Sequence, residues 1–204
     1  MDTPSRAADA VDGRPLGGAG RVALVHDWLT GMRGGEKCLE VLCEMFPAAP
    51  LFTLLHVPGS VSAAIEARRI TTSFVQRLPG AAAHYRKYLA VFPAAIESFD
   101  LGGFDLVVST SHCVAKGVRP APGALHVCYC HTPMRYVWDQ FEAYFGPGRA
   151  GPLTRAAARV LRGPLQRWDV RTAPRVHHFI ANSEHVRRRI ERHYGRRAVV
   201  IHPP

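Results

Sequence analysis

The sequence predicts an α/β fold built on a doubly wound, mainly parallel sheet, and three observations carry that reading. Short, nearly continuous apolar runs recur, among them Arg21-Val-Ala-Leu-Val-His26, Phe104-Asp-Leu-Val-Val-Ser109 and Ala124-Leu-His-Val-Cys-Tyr-Cys130. Such runs mark strands buried on both faces. Segments with helical spacing lie between them, and Gly- or Pro-bearing loops separate the two kinds. The composition agrees: 204 residues with 47% hydrophobic and 9% aromatic content suit a sizeable core and exclude a disordered or fibrous chain.

The elements follow in order. Residues 1–20 are acidic and poor in apolar side chains, which reads as a flexible leader and not as a secretory signal. Residues 21–26 form the first strand, and Asp27 to Gly35 a loop. The helix that follows places Leu39, Leu42, Cys43 and Phe46 on one face, with Glu36, Lys37, Glu40 and Glu44 outside. Pro47 and Pro50 end it, and Leu51 to His56 form a second strand, which completes a βαβ unit. Residues 61–68 read as a short helix and 70–75 as a strand or extended loop. Residues 84–99 read as helical, with an interruption at Pro93. The strand 104–109 runs into a Ser/Thr-rich turn, and the strand 124–130 into His131-Thr-Pro133. Residues 153–173 form a long basic helix with a break at Pro164. A strand over 177–181, a helix over 183–194 and a strand over 198–201 close the chain. Ile201-His-Pro-Pro204 reads as the start of a linker leaving a domain that spans 21–200.

Charge is unevenly spread. Residues 149–204 hold 13 Lys and Arg against 3 Asp and Glu, while residues 1–148 hold 13 of each. The net +10 therefore arises in the last stretch, which excludes an evenly basic nucleic-acid binder. The basic residues are 23 Arg and 3 Lys, a ratio that codon bias explains as well as guanidinium chemistry does. The five cysteines are odd in number and sit in apolar stretches, so buried, reduced thiols in a cytosolic protein are expected. No window of ~20 apolar residues occurs, so no transmembrane helix is expected.

Several motifs fall where chemistry is done. Gly34-Gly35 stands between the first strand and the first helix, at the carboxyl edge where doubly wound sheets bind ligands. Glycines there let the backbone approach a phosphate, and a helix N-terminus offers free N–H groups. The spacing is not that of a dinucleotide fingerprint, so a turn-and-cap role stays open beside the phosphate role. His131 ends a strand at the same edge, where an imidazole can meet a sugar hydroxyl or leaving group; a core histidine is the alternative. His126, Cys128 and Cys130 share a strand face, which suits burial between helices better than a metal. Ser109, Thr110, Ser111 and His112 read as capping residues, and Asn182-Ser183 as a helix N-cap. In residues 153–172, Leu153, Ala157, Val160, Leu161, Leu165 and Trp168 follow helical spacing, with Arg155, Arg159, Arg162, Arg167 and Arg171 largely elsewhere. A solvated face, a helix drawn to anionic lipid and a nucleic-acid surface all fit that pattern.

Five motifs in order carry a resemblance: His26-Asp-Trp-Leu; Gly34-Gly35-Glu36; Cys130-His131-Thr-Pro-Met-Arg-Tyr136 with Trp138-Asp139; Phe179-Ile-Ala-Asn-Ser183; and Val200-Ile-His-Pro-Pro204. Over residues 20–204 the chain resembles the N-terminal half of retaining glycosyltransferases of family 4, especially bacterial mannosyltransferase-like members. The resemblance implies a Rossmann-like domain that forms the acceptor side of a two-domain GT-B enzyme. Gly34 and Gly35 would approach the donor diphosphate, and His131 would contact the transferred sugar. Asp27, Met134, Arg135 and Trp138 would stand on the acceptor side. The substrates implied are a nucleotide sugar, with GDP-mannose as the candidate, and a lipid-linked or polysaccharide acceptor. No metal or other cofactor is implied, because protein cations and helix dipoles stabilise the leaving diphosphate in this family. Arg155, Arg159, Arg162, Arg167 and Trp168 would face an anionic membrane, at the inner face of a cytoplasmic enzyme. The family's donor-binding domain, with its pair of glutamates, is not in this sequence, so the chain alone is expected to be inactive. The competing readings are a non-catalytic module for a sugar nucleotide or partner, and a basic nucleic-acid-binding domain.

Overall fold

A computed structural model describes residues 20–148 and 151–204. Most of the segment read as a leader, residues 1–19, lies outside that range. In chain order the strands are β1 (Val22–His26), β2 (Leu51–Thr53), β3 (Ile70–Thr72), β4 (Leu106–Ser111), β5 (Leu125–Cys130), β6 (His178–Ala181) and β7 (Ala198–Val200). The helices are α1 (Gly34–Met45), α2 (Ala63–Glu66), α3 (Ala81–His84), α4 (Phe92–Glu97), α5 (Phe141–Phe145), α6 (Pro152–Thr172) and α7 (Glu184–Tyr194).

Among the described residues the strands form one parallel sheet in the order β3-β2-β1-β4-β5-β6-β7. This is an α/β, Rossmann-like architecture. The strand order reverses between β1 and β4, so the crevice outside their carboxyl ends is where such a sheet takes a ligand. Alternate residues of each central strand feed opposite faces. Leu24, Leu51 and Val108 pack with Leu39 and Cys43 of α1 and Ile65 of α2. Ala23, Val25, Phe52 and Val107 pack on the other face with Phe92 and Ile96 of α4 and with Leu165 and Trp168 of α6. Cys128, Cys130, Phe179 and Ala181 pack under Val186, Ile190 and Tyr194 of α7. All five cysteines are buried free thiols.

Several sequence expectations change. Pro93 opens α4 instead of interrupting a helix, because the first helical turn has no use for its missing N–H. The segment before it, Tyr85–Val91, is a 3₁₀ helix. α6 runs through Pro164 without a break, so the proline removes one hydrogen bond and leaves the helix whole. Ser109, Thr110 and Ser111 belong to β4 and are buried; of the three, Ser111 still caps the turn that follows, its Oγ accepting from the Lys116 N–H at 3.2 Å. Ser183 does cap α7, accepting from the Val186 N–H at 3.3 Å, and Gly195 closes that helix at φ 63°. Glu36, expected outside α1, is 3% exposed.

Candidate functional site

A cleft of about 490 Å³ opens at the carboxyl ends of β1, β4 and β5. Its walls include Trp28, Arg33, Gly34, Gly35, Glu36, His112, His131 and Asn182. The register explains the convergence. His26 pairs with Thr110, and Cys130 pairs with Ser111, so residues 26, 112 and 131 leave neighbouring strands at one level.

Three histidine rings meet there. His26 is fully buried and shares a 2.5 Å hydrogen bond between Nδ1 and Thr110 Oγ1. Its Nε2 lies 3.7 Å from Glu36 Oε1, beyond hydrogen-bond reach. His112 Nδ1 stands 3.1 Å from Asp27 Oδ2, and the His112 ring packs edge-on against Trp28 at 4.5 Å. His131 holds its place through its backbone N–H, which donates to Ser111 O at 2.8 Å. Its ring packs on Tyr129 at 5.2 Å, and its buried Nε2 has no hydrogen-bond partner among the described residues. A methyl group at Gly35 would come within 3.6 Å of that Nε2 and of His26 Cε1, whereas one at Gly34 would meet nothing within 4 Å. Glycine at 35 therefore keeps open the space between the two imidazoles.

The electrostatics follow from burial. Burial pushes His131 down to about 3 and His112 to about 4, so both are neutral near pH 7. For Asp27 and Glu36 burial works the other way, but His112 with backbone N–H groups, and His26, hold the two carboxyls below their ordinary range. Glu36 Oε2 also accepts the Arg33 N–H at 3.0 Å in the first turn of α1, where the helix dipole favours an anion. The cleft thus offers a neutral imidazole with a bare nitrogen, a helix N-terminus fronted by two glycines, and guanidinium groups of Arg33, Arg86 and Arg135 on its walls.

The expected residues divide. Gly34, Gly35, His131 and Arg135 line the cleft. Asp27 does not reach it. It is fully buried, and its Oδ2 accepts from the N–H groups of His112 and Cys113 while Oδ1 accepts from those of Val114 and Ala115. An acceptor-side role for Asp27 is therefore replaced by a structural one. Met134 is fully buried in the main core. Trp138 turns its Nε1–H to Asp169 Oδ2 at 2.8 Å and stacks on His193 at 4.3 Å, away from the cleft. The set expected to face a membrane also breaks up. Trp168 is 6% exposed and donates Nε1–H to Glu97 Oε1 at 2.8 Å; its ring lies so close over Gly117 that a side chain there would strike it. Arg162 donates to Val137 O at 3.0 Å and covers the Phe141 ring. Arg155 is half-buried, whereas Arg159 and Arg167 are exposed.

His126 is a core histidine. Its Nε2 meets Ser109 Oγ at 2.8 Å, its Nδ1 lies 3.2 Å from Arg175 O, and burial takes it down to about 3. His26, Glu36, His112 and Arg86 were not expected at the site. His26 had a signal, since it ends β1 much as His131 follows β5. Arg86 had none, because only the fold brings the 85–91 segment over the cleft.

The family model for Glycosyltransferase Family 4 matches residues 32–204. A search of curated proteins finds no match.

Proposed function

Because the chain belongs to glycosyltransferase family 4, we propose that it forms the acceptor side of a retaining hexosyltransferase. In this reading the enzyme moves a sugar, with mannose from GDP-mannose as the candidate, to a lipid-linked or polysaccharide acceptor. The donor nucleotide is held largely by a second domain, without which transfer does not proceed. The observation that carries the reading is the bare, buried Nε2 of His131, aimed across Gly35 at the topological switch point of the sheet.

The chemistry follows from those groups. The diphosphate of the donor lies against the N-terminus of α1, where Gly34 leaves its approach open. The dipole of that helix and the guanidinium of Arg33 stabilise the charge that grows on the leaving phosphate. His131 is neutral, so it meets the transferred sugar as a hydrogen-bonding partner and adds no like charge beside a developing oxocarbenium centre. The acceptor approaches from the side of Arg135. On α6, Arg155, Arg159 and Arg167 with the exposed Leu153 and Val160 support a peripheral contact with anionic lipid at the inner face of the membrane. No described helix is long and apolar enough to cross a membrane.

The test uses the complete protein that the gene encodes. His131→Ala is expected to lower sugar transfer from the nucleotide donor by roughly a hundredfold or more, the usual worth of a positioned polar group at the reacting centre. Its unfolding curve is expected to stay close to that of the wild type. Normal turnover in this variant removes His131 from the site. Reading the coding sequence beyond codon 204 tests the second domain.

A further inference from the structure

The segment between β5 and α5 has no regular structure, yet it brings His131, Arg135 and Tyr136 to the cleft wall. Its far part is tied to α6: Gln166 Nε2 donates to Val137 O at 2.8 Å, and Trp138 Nε1 to Asp169 Oδ2. Its near part, beside His131, is held from α7. Three consecutive arginines stand on that helix and do different things. Arg187 pairs along the helix with Glu184 at 2.7 Å, and Arg188 is exposed. Arg189 turns inward, with 13% of its side chain exposed. Its Nη1 donates to the hydroxyl of Thr132, the residue after His131, and its Nη2 lies 2.5 Å from Asp139 Oδ2. One guanidinium therefore spans both ends of the segment. Thr132 is itself buried and its hydroxyl donates to Pro133 O at 3.0 Å, so the strut bears on a residue with little room to move.

We infer that Arg189 is a positioning residue for sugar transfer: from outside the cleft, it sets where the His131 imidazole stands. The inference rests on the transferase reading for its effect on turnover, but not for its effect on the ring. The planar fork of an arginine suits the task, because it offers donors in fixed directions to two separate acceptors, whereas a lysine ammonium is a single point charge. The His131 ring itself is held loosely. It packs on Tyr129, and its Nε2 has no hydrogen-bond partner among the described residues, so the placement of its backbone decides where the ring points. Displacing a group at a reacting centre by about 1 Å can cost on the order of a hundredfold in rate.

The test variant is Arg189→Lys, which keeps the charge and loses the fork. In histidine-labelled NMR of this chain, the wild-type His131 ring is expected to titrate at about 3. In the variant it is expected to move toward the ordinary value near 6.5 as water reaches it, while His126 in the core stays at about 3. In the complete protein that the gene encodes, kcat for sugar transfer is expected to fall roughly tenfold or more, with the donor KM little changed. Adding Arg189→Lys to His131→Ala is expected to lower turnover no further, because the strut then has nothing to position. An additive loss overturns the proposal, since Arg189 would then act elsewhere. So does a His131 titration that stays in place, or an unchanged kcat in a variant whose ring has moved. Asp139→Asn, at an exposed position, is the second variant should the first not fold, and smaller changes in the same directions are expected of it. If the wild-type protein transfers no sugar, the transferase reading fails, and the ring titration still decides whether Arg189 holds His131.

Discussion

The turn that follows β4 stands between two buried polar clusters of opposite character. On one side is a hub around Asp169. Lys116 Nζ lies 3.0 Å from Asp169 Oδ1, donates to Asp169 O at 2.6 Å and to Thr172 Oγ1 at 2.9 Å, and sits over the Tyr194 ring. Asp169 Oδ2 accepts from Trp138 Nε1 and from the Tyr194 hydroxyl. On the other side is the cleft rim, where neither the Nε2 of His131 nor that of His26 behind it has a hydrogen-bond partner among the described residues. Both clusters bear the cost of taking polar groups out of water. In the hub, partners within the chain offset that cost and tie α6 and α7 to the sheet. At the rim it is left standing, and a ligand can offset it. A buried polar group that is satisfied reads as scaffold, and one that is unsatisfied beside a cavity reads as chemistry.

That contrast can be broken in graded steps. Lys116→Ala strands a buried carboxylate and is expected to cost about 3–5 kcal/mol, which lowers the thermal midpoint of a domain this size by roughly 10 °C. Replacing both partners, Lys116→Met with Asp169→Leu, is expected to recover most of the loss in the same melting experiment. Asp27→Asn sets an amide donor against two of the backbone N–H groups it must accept. A cost of about 2–3 kcal/mol is expected, read from chemical denaturation.

Acid acts next. His112, His126 and His131 have folded pKa values of about 4, 3 and 3, all below the unfolded value near 6.5. Between pH 6.5 and 4 the unfolded chain therefore binds more protons than the folded one, so stability falls as pH falls. Their contribution is complete above about pH 6.5. Denaturation midpoints that stay flat across that window would mean these histidines are not held neutral.

The smallest effects on the fold are expected at the rim. His131→Ala should move the unfolding free energy by less than about 1 kcal/mol while removing transfer. Gly35→Ala places its methyl at ordinary contact distance from both imidazoles, so the fold should hold. The same methyl occupies the space meant for ligand, and weaker donor binding in a titration is the expected readout. A fold that collapses in either variant would show that the rim is scaffold after all.

The sheet was largely legible before the structure. The apolar runs at 21–26, 104–109 and 124–130 mark three central strands because parallel strands covered on both faces need no alternation. Gly34, Gly35 and His131 were legible because strand ends and helix starts carry ligands in such sheets. What failed to show was direction. Asp27, Met134, Trp138 and Trp168 lie close in sequence to true rim or surface residues, but their side chains turn into the core. Helical spacing grouped Leu153 and Val160 with Leu165 and Trp168, yet the first two project into solvent while the other two pack inward. Sequence spacing fixes which residues share a stripe, and only the neighbours decide how much of it is covered.

Asp27 has a consequence for the order of assembly. Its four backbone partners lie 85 to 88 residues further along the chain. They come within reach only once β1 and β4 have paired, after a long loop has closed. The floor of the cleft is therefore among the late, non-local contacts to form. A partly folded chain with its local helices in place would have no binding site, so ligand affinity reports on completion of the whole sheet.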